Sequence, residues 1–343
     1  MVVTMAERLI EPLGLLYGTE GHAACAAGMA LLLAGGPAAF SLCALIDGTD
    51  RCIVPLREVP EDWTELRSRI TTRPPAAGLP QGVLAMGILN VTPDSFSDGG
   101  RYEDAPGALG AARRMLEQGA ALIDVGGEST RPGAALVMPD AEQARILPVI
   151  RELAAWGAAV SVDTRHAATM RAALGAGALV INDVSALAHD PQARRVVAKA
   201  GCPVVLMHMR GTPETMAGLT SYDDVAVDVV RELAWSVDQA ILAGIARDRI
   251  IVDPGIGFAK TEAQNLELLR RLPILANLGC RVLLGVSRKG FIGRIGEASL
   301  PTDRLAGSIV AALPGLVFPD TILRVHDVAE TVQAVRLWQA IHG

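Results

Sequence analysis

The sequence predicts an α/β fold, a (β/α)8 TIM barrel with an N-terminal extension packed on it. From residue 83 onward, short runs rich in Val, Ile and Leu alternate with polar loops and helical stretches. This alternation is typical of parallel strands joined by right-handed crossovers. Eight such units over about 260 residues match the usual size of a barrel.

The predicted strands are short and evenly spaced along the chain. They cover residues 83–91, 120–127, 158–164, 178–184, 203–209, 249–255, 281–287 and 321–327. Helical patterns are clearest in residues 105–120, 140–157 and 223–245. A doubly wound open sheet is the alternative fold, but it usually carries a glycine-rich turn after its first strand. Neither GxGxxG nor GxxxxGK[ST] occurs in the sequence.

Composition and charge limit the possible partners. The chain is 50% hydrophobic but only 3% aromatic, so aliphatic side chains must form the core, as in parallel sheets covered by helices. The net charge of −6 argues against nucleic acid, since phosphate neutralisation needs a basic face. The five scattered cysteines form no CxxC pair, and the N-terminus has no apolar signal region, so we predict a cytoplasmic protein with reduced thiols.

The first part of the chain lies outside the repeating units. We predict an extension of unknown role over residues 1–80, joined through the Pro- and Gly-rich residues 71–80 to a barrel over residues 81–343. Residues 23–46 carry no charge and are long enough to span a bilayer. However, Gly35, Gly36 and Pro37 interrupt them, which favours a buried helix, a turn and a buried strand without a membrane partner.

Hydrogen-bonding or charged side chains follow every predicted strand. In strand order they are Asn90, Thr92 and Asp94; Asp124, Glu128, Ser129, Thr130 and Arg131; Asp163; Asn182 and Asp183; His208; Asp253; Ser287, Arg288 and Lys289; and Arg324 and His326. A single Asp at a strand end often only caps the next helix. Burying all of these groups is costly unless they face one another or a ligand. They therefore predict a polar pocket at the C-terminal mouth of the barrel, where barrel enzymes carry their sites.

The residue types indicate two parts of this pocket. Asp163, Asn182, Asp253 and Lys289 supply acceptors, donors and one cation, and a carboxylate can accept two parallel N–H bonds from the edge of a flat heterocycle. The second part is cationic.

In that second part, Arg131, Arg324 and His326 suit an anion such as phosphate. Asn90 offers a neutral oxygen that, together with diphosphate, can help to hold Mg²⁺.

Several residues allow two interpretations. Arg288 and Lys289 either begin an anion-binding helix terminus or form a solvated basic turn. Met207 and its neighbour Met209 either line a flat-ligand pocket or fill the core. His208 is either a metal ligand or, more commonly for such a residue, a packed and hydrogen-bonded histidine.

Eight ordered motifs resemble the dihydropteroate synthase family of pterin-binding barrels. They are GILNVTPDSFSDGG (87–100), GGESTRPGA (126–134), SVDT (161–164), INDVSAL (181–187), VVLMHMRGTPETM (204–216), IIVDPGIGFAKT (250–261), GVSRKGFIG (285–293) and RVHDVAET (324–331). The resemblance implies a homodimeric, sulfonamide-targeted transferase of folate biosynthesis. It implies that 4-aminobenzoate is joined to (7,8-dihydropterin-6-yl)methyl diphosphate with the help of Mg²⁺, giving 7,8-dihydropteroate and diphosphate.

The resemblance also assigns residues by position. It places Asp163, Asn182, Met207, Asp253, Phe258, Gly285 and Lys289 around the pterin. It places Asn90, Thr130, Arg131, Arg324 and His326 at the diphosphate, with Asn90 also at the metal. Around the aminobenzoate it places Thr92, Pro93, Phe96, Pro132, Arg288 and Gly290. The catalytic set is Asp94, Lys289, Arg324 and His326, in which Asp94 stabilises a forming cation from a loop that closes over the substrates.

A few positions depart from the family pattern. Gly290 stands where the family often has Ser, and Ala259 stands where it often has Gly. Pro314 and Pro319 predict an irregular last crossover, because proline breaks helices. Two rival functions remain: a pterin-binding methyltransferase domain that uses a corrinoid partner, and a non-catalytic relative that binds pterins.

Overall fold

The chain begins with a small antiparallel sheet. The computed structural model describes residues 7–91, 105–128 and 137–342. Strand β1 (Arg8–Tyr17) pairs with one edge of β3 (Ala38–Asp47), and β2 (Leu31–Leu32) and β4 (Asp50–Pro55) pair with the other. Helix α1 (Gly18–Ala26) connects β1 to β2, and α2 (Thr64–Thr71) follows the sheet.

The uncharged stretch at residues 23–46 follows the predicted order of helix, turn and strand. Most of strand β3 is buried, but α1 buries only Gly21 and Ala24. The prediction of a buried helix is therefore wrong, because the helix packs only its small residues on the sheet. Within the described residues, no helix is long and apolar enough to cross a membrane.

Eight parallel strands form the closed barrel. They are β5 (Leu84–Asn90), β6 (Leu122–Gly126), β7 (Val160–Asp163), β8 (Val180–Asp183), β9 (Val204–Met207), β10 (Ile250–Asp253), β11 (Arg281–Leu284) and β12 (Ile322–Val325). Each lies within a segment predicted from the sequence, which confirms the TIM barrel. The predicted segments overrun the strands by up to three residues, because the apolar pattern continues into turns.

Helices cover the barrel between its strands. They are α3 (Ala105–Glu117), α4 (Pro139–Ala155), α5 (Ala167–Gly175), α6 (Ala193–Ala200), α7 (Val225–Leu242), α8 (Glu262–Arg270), α9 (Gly290–Ile295), α10 (Leu305–Ala312) and α11 (Val328–His342). The last crossover is irregular as predicted, since α10 changes at Pro314 into a 3-10 turn over Leu313–Val317. Another 3-10 segment, Leu272–Leu278, lies between α8 and β11.

The lower half of the barrel is filled with side chains. One buried apolar cluster contains Leu84, Met86, Leu122, Val180, Val205, Ile251, Leu283 and Ile322. Ala77 and Leu79, from the residues predicted to be a linker, belong to the same cluster. The barrel is therefore a packed core at this end, which leaves the C-terminal mouth for a ligand.

The linker is held at the barrel floor by a buried arginine. Arg281, the first residue of β11, has no exposed surface and donates hydrogen bonds to the carbonyl oxygens of Ala76, Pro80, Gly82 and Asp320. Four carbonyl acceptors offset much of the cost of removing the guanidinium from water. This segment is thus a structural part of the floor rather than a solvated connection.

The extension packs along the outside of the barrel. The side chain of Asn277 accepts the Ile10 N–H at 3.0 Å and donates to the Ile10 carbonyl at 2.7 Å, and so takes the place of a neighbouring strand. The buried carboxylate of Glu11 accepts two hydrogen bonds from Arg271, at 2.7 and 2.9 Å. Tyr17 lies edge-on to Trp338 of α11. These contacts confirm an extension packed on the barrel.

Candidate active site

A buried ionic network crosses the mouth of the barrel. Arg324 of β12 donates from Nε to Asp124 Oδ2 at 2.6 Å and from Nη2 to Asp163 Oδ2 at 2.8 Å. Asn182 donates to the same Asp124 oxygen at 3.0 Å. Asp124 Oδ1 is buried and accepts no hydrogen bond from the described residues. The structure therefore brings together three predicted site residues around Asp124, which the sequence places in the polar pocket without a specific role.

The carboxyl group of Asp163 is electrostatically perturbed. Burial raises its pKa to about 7, nearby Asp124 adds to the rise, and Arg324 opposes it. A carboxyl group that changes charge near neutral pH, at the mouth of a barrel, is typical of a functional site.

Asp253 and Lys289 form a second charged group beside an aromatic ring. Asp253 Oδ1 accepts the N–H of Gly255 at 2.7 Å. Burial raises the pKa of Asp253 to about 6, and that backbone hydrogen bond and Lys289 oppose the rise. The Nζ of Lys289 lies 4.0 Å from the ring centroid of Phe258. Burial lowers the pKa of Lys289 to about 8, and Asp253 opposes this shift.

The predicted wall residues lie close to these charges. Met207 and Phe258 belong to one small buried cluster, and Met209 packs against it. A side-chain carbon built on Gly285 would lie 3.7 Å from Asp253 Oδ2 and 3.9 Å from Arg324 Cβ. Gly285 thus lies between the Asp253 carboxylate and the Arg324 side chain, and a larger residue there would narrow the space between these two groups.

Among the groups predicted to hold an anion, those within the described residues lie at the ends of β5 and β12. A carbon built on Gly126 would be 3.7 Å from Asn90 Oδ1 and 3.5 Å from Asp163 Cβ, so Asn90 and Asp163 face each other across Gly126. The hydroxyl of Ser287 accepts the backbone N–H of His326 and lies 3.0 Å from its Nδ1. When Ser287 donates its proton to Nδ1, the neutral ring carries its proton on Nε2.

The two basic residues after β11 separate in the structure. Lys289 lies over the Phe258 ring, whereas Arg288 makes a two-point ion pair with Asp327. Arg288 also has a positive φ of 58°, and its N–H bonds to Ser308. The basic turn is therefore held by specific contacts rather than simply solvated. Gly290 begins α9 and is exposed.

Seven predicted site residues lie outside the described residues. They are Thr92, Pro93, Asp94, Phe96, Thr130, Arg131 and Pro132. The predicted closing loop after β5 falls in the same gap. Their roles stay predictions.

A second, partly buried network surrounds His208 and is not predicted by the sequence. His208 Nε2 lies 3.0 Å from Glu232 Oε2, and its Nδ1 lies 2.9 Å from Lys260 Nζ. His208 is thus a packed, hydrogen-bonded histidine in the described structure. Glu232 lies on α7, and Arg210 pairs with it. No local pattern indicates these contacts, since barrel closure alone brings the residues together.

Fold and site together define a class of protein. A barrel whose mouth carries buried carboxylates, an amide and a lysine beside an apolar wall is an enzyme scaffold that suits a flat, polar heterocycle. Residues 86–326 match the family model described as pterin binding enzyme. The chain belongs to this family of pterin-binding enzymes.

Within this family, the chain is similar to several dihydropteroate synthases. The dihydropteroate synthase of Neisseria meningitidis serogroup B is 44% identical over 261 residues, which cover 75% of this chain and 92% of that protein. A solved dihydropteroate synthase of Xanthomonas albilineans with 4-aminobenzoic acid has a TM-score of 0.71 and 47% identity, covering 77% of this chain and 94% of that one. The same enzyme in complex with 7,8-dihydropteroate has a TM-score of 0.69 and 44% identity, with the same coverage.

Proposed function

We propose that this protein is a dihydropteroate synthase, a transferase of folate biosynthesis. It condenses 4-aminobenzoate with (7,8-dihydropterin-6-yl)methyl diphosphate to give 7,8-dihydropteroate and diphosphate. The observation that carries the proposal is that Asp163, Asn182, Asp253 and Lys289 lie together at one mouth of the barrel, near the buried apolar cluster of Met207 and Phe258. Relatives with 44% identity and matching folds support the same reaction.

In this proposal the pterin ring lies flat between charged edges and the apolar wall. Asp253 accepts N–H groups from one edge of the ring, as carboxylates do when they read a heterocycle. Lys289 and Asn182 supply donors to ring acceptors. Met207 and Phe258 contact the face, where a thioether and an aromatic ring pack well on a flat ligand.

At the reacting carbon, the bond between the methylene and the diphosphate oxygen breaks, and its electron pair leaves with the diphosphate. Arg324 and His326 donate hydrogen bonds to the leaving group, and electrostatic stabilisation of developing charge is commonly the largest catalytic effect. The aminobenzoate nitrogen then forms the new C–N bond and releases a proton to solvent. An aromatic amine is neutral at pH 7, so positioning replaces a strong base.

A magnesium ion fits the donor set at the diphosphate end. Asn90 offers a neutral oxygen next to Asp163, and Mg²⁺ is commonly held by a few protein oxygens together with phosphate oxygens and waters. When bound, the ion would neutralise charge on the diphosphate. Asn90 orients the leaving group in this arrangement.

We propose further that the protein acts as a cytoplasmic homodimer and is inhibited by sulfonamides. Exposed apolar side chains on α10 and α11, namely Val310, Leu337 and Ile341, support an association through these helices. Its partners are the two small substrates, without nucleic acid or a membrane. Light scattering of the purified protein tests the dimer, and competition between a sulfonamide and 4-aminobenzoate tests the inhibition.

One assay tests the function directly. Purified protein is incubated with 4-aminobenzoate, the pterin diphosphate and Mg²⁺, and dihydropteroate and diphosphate are measured. Product formation that depends on both substrates is expected. Pterin binding without product would favour the non-catalytic alternative, and methyl transfer to a corrinoid partner would favour a methyltransferase.

A further inference from the structure

A lysine outside the assigned site is buried next to the loop that follows β10. Lys260 is 9% exposed, and its Nζ lies 2.9 Å from His208 Nδ1, 2.9 Å from the Gly255 carbonyl and 3.1 Å from the Phe258 carbonyl. A lysine ammonium has three N–H donors and no acceptor. Three acceptors therefore use all of the donors of the protonated side chain. Burial lowers the pKa of Lys260 to about 7, and Asp253 and Glu232 oppose this shift.

This contact fixes the state of His208. Because Nδ1 accepts from Lys260, Nε2 carries the ring proton and donates it to Glu232 Oε2 at 3.0 Å. Burial and the nearby charge of Lys260 together lower the pKa of His208 to about 4, although Glu232 opposes the shift, so the ring is neutral. Glu232 is in turn paired with Arg210. A neutral histidine is thus held between a cation and an anion, which keeps its acceptor directed at Lys260.

The loop that Lys260 contacts has positive φ angles at three positions, two of them glycines, for which such angles are readily allowed. Gly255, Gly257 and Ala259 have positive φ values of 65°, 84° and 48°. A side-chain carbon built on Gly255 would lie 1.9 Å from the His208 carbonyl oxygen, so the loop presses closely against the end of β9. The positive φ of Ala259 is unfavourable for a residue with a side chain and persists only where the surroundings hold it. Lys260 does this at two carbonyls, one near each end of the loop.

The same loop sets the geometry of the proposed pterin pocket. Its Gly255 N–H donates to Asp253 Oδ1 at 2.7 Å, and its Phe258 ring lies 4.0 Å from Lys289 Nζ. A carbon built on Gly257 would lie 3.1 Å from Lys289 Cδ. A change in the loop would therefore move Asp253 and Lys289 together.

We propose that Lys260 is a positioning residue for pterin binding. Its ammonium clamps residues 255–258 so that Asp253, Phe258 and Lys289 face the ring of the substrate. His208 and Glu232 support the clamp by keeping an acceptor on Nδ1. This inference rests on the proposed function and adds to it a group that does not itself touch the substrate.

The test compares substitutions that remove or keep the donor, Lys260 Nζ, and its acceptor, His208 Nδ1. Lys260→Met is expected to weaken binding of 6-hydroxymethylpterin, measured by calorimetry, by about tenfold or more, since charge-assisted hydrogen bonds are lost. The KM for 4-aminobenzoate at saturating pterin diphosphate should stay within about twofold, because that substrate does not contact the loop in the proposed site.

Two substitutions at His208 test whether an acceptor at the position of Nδ1 is enough to keep pterin affinity. His208→Asn keeps an oxygen acceptor where Nδ1 lies, and pterin affinity should stay within about threefold of the natural protein. His208→Leu removes the acceptor and should behave like Lys260→Met. Equal pterin affinity in the Asn and Leu variants would overturn the role of His208 as an acceptor. This pair also carries the test if Lys260→Met does not fold.

A structural control separates the clamp from general destabilisation. Thr321→Val removes a buried hydroxyl bond to the Gly315 carbonyl far below the mouth, and it should leave pterin affinity unchanged. Hydrogen exchange of residues 254–261 should accelerate in Lys260→Met and not in Thr321→Val. Unchanged exchange in a folded Lys260→Met protein would overturn the inference. If the natural protein binds no pterin and forms no product, the proposed function fails, while the exchange comparison still decides the clamp.

Discussion

At the scale of single residues, the site depends on buried carboxyl groups whose charge changes near neutral pH. Asp253 and Asp163 are raised in pKa by burial, and each has a cation that opposes the rise. An ionised carboxylate accepts hydrogen bonds and cannot donate them. Pterin recognition through ring N–H groups therefore needs these residues in their charged form.

This requirement predicts the pH dependence of pterin affinity. The pKa of Asp253 is about 6, above the usual value of about 4 for aspartate, so its carboxylate is present above pH 6 and is lost as pH falls through 6. Affinity for 6-hydroxymethylpterin should fall over that window. In Asp253→Asn the affinity should be lower at pH 8, and the remaining acid dependence should come from Asp163. Calorimetry between pH 5 and 8 measures both proteins, and an identical pH profile would contradict the assignment.

Gly290 allows a test of a departure from the family pattern. A side-chain carbon at this exposed position would lie 3.3 Å from Arg294 Nη1, the end of a flexible side chain, so Gly290→Ser fits without moving the backbone. The added hydroxyl should lower the KM for 4-aminobenzoate by about fivefold, since a typical hydrogen bond contributes about 1 kcal/mol. Gly290→Ala is the matched control. A similar KM in both variants would show that the hydroxyl makes no contact with the substrate.

At the scale of secondary-structure elements, the cap of α8 begins directly after Lys260. Thr261 and Gln264 form a reciprocal capping box. Thr261→Ala should lower the free energy of unfolding by about 1 kcal/mol, while Thr261→Ser should keep the cap. Urea denaturation measures the difference. Pterin affinity should be the same in both variants, and a loss confined to Thr261→Ala would mean that cap and clamp act as one unit.

The barrel elements were predictable because their signals are local. Each strand is a short aliphatic run that ends in polar residues, and this pattern placed Asp163, Asn182 and Asp253 at one mouth. The Lys260–His208 contact joins residues 52 positions apart, and it exists only because β9 and β10 are neighbours in the closed sheet. The extension also escaped detailed prediction. Pro12 and Gly14 interrupt the strand pattern of β1, whose pairing depends on β3.

At the scale of the whole molecule, two separate segments contact the barrel ahead of β5. The sheet of β1 to β4 lies along the outer crossovers through Ile10 and Glu11. Residues 72–82 close the floor, where Arg281 binds their carbonyls and Leu79 completes the inner cluster. The active-site mouth lies at the opposite end of the strands. The extension should therefore affect stability much more than it affects the chemistry.

Two truncations separate the contribution of the N-terminal sheet to stability from that of the floor segment, residues 72–82. Deleting residues 1–71 removes the sheet but keeps the floor, whereas deleting residues 1–80 also removes the Ala76 and Pro80 carbonyls that bind Arg281. Hydrogen bonds to charged groups contribute about 1.5–3 kcal/mol each, so the longer deletion should be less stable than the shorter one by at least about 3 kcal/mol. Urea denaturation gives the comparison.

The shorter truncation should keep the turnover of the full chain per folded molecule, because it leaves the strand ends and their polar groups in place. The longer truncation should lose soluble protein before it loses specific activity, since an uncompensated buried guanidinium is costly. Arg281→Met in the longer truncation removes that charge and should recover part of the stability. Equal stability of the two truncations would mean that Arg281 finds other partners and that the linker does not close the floor.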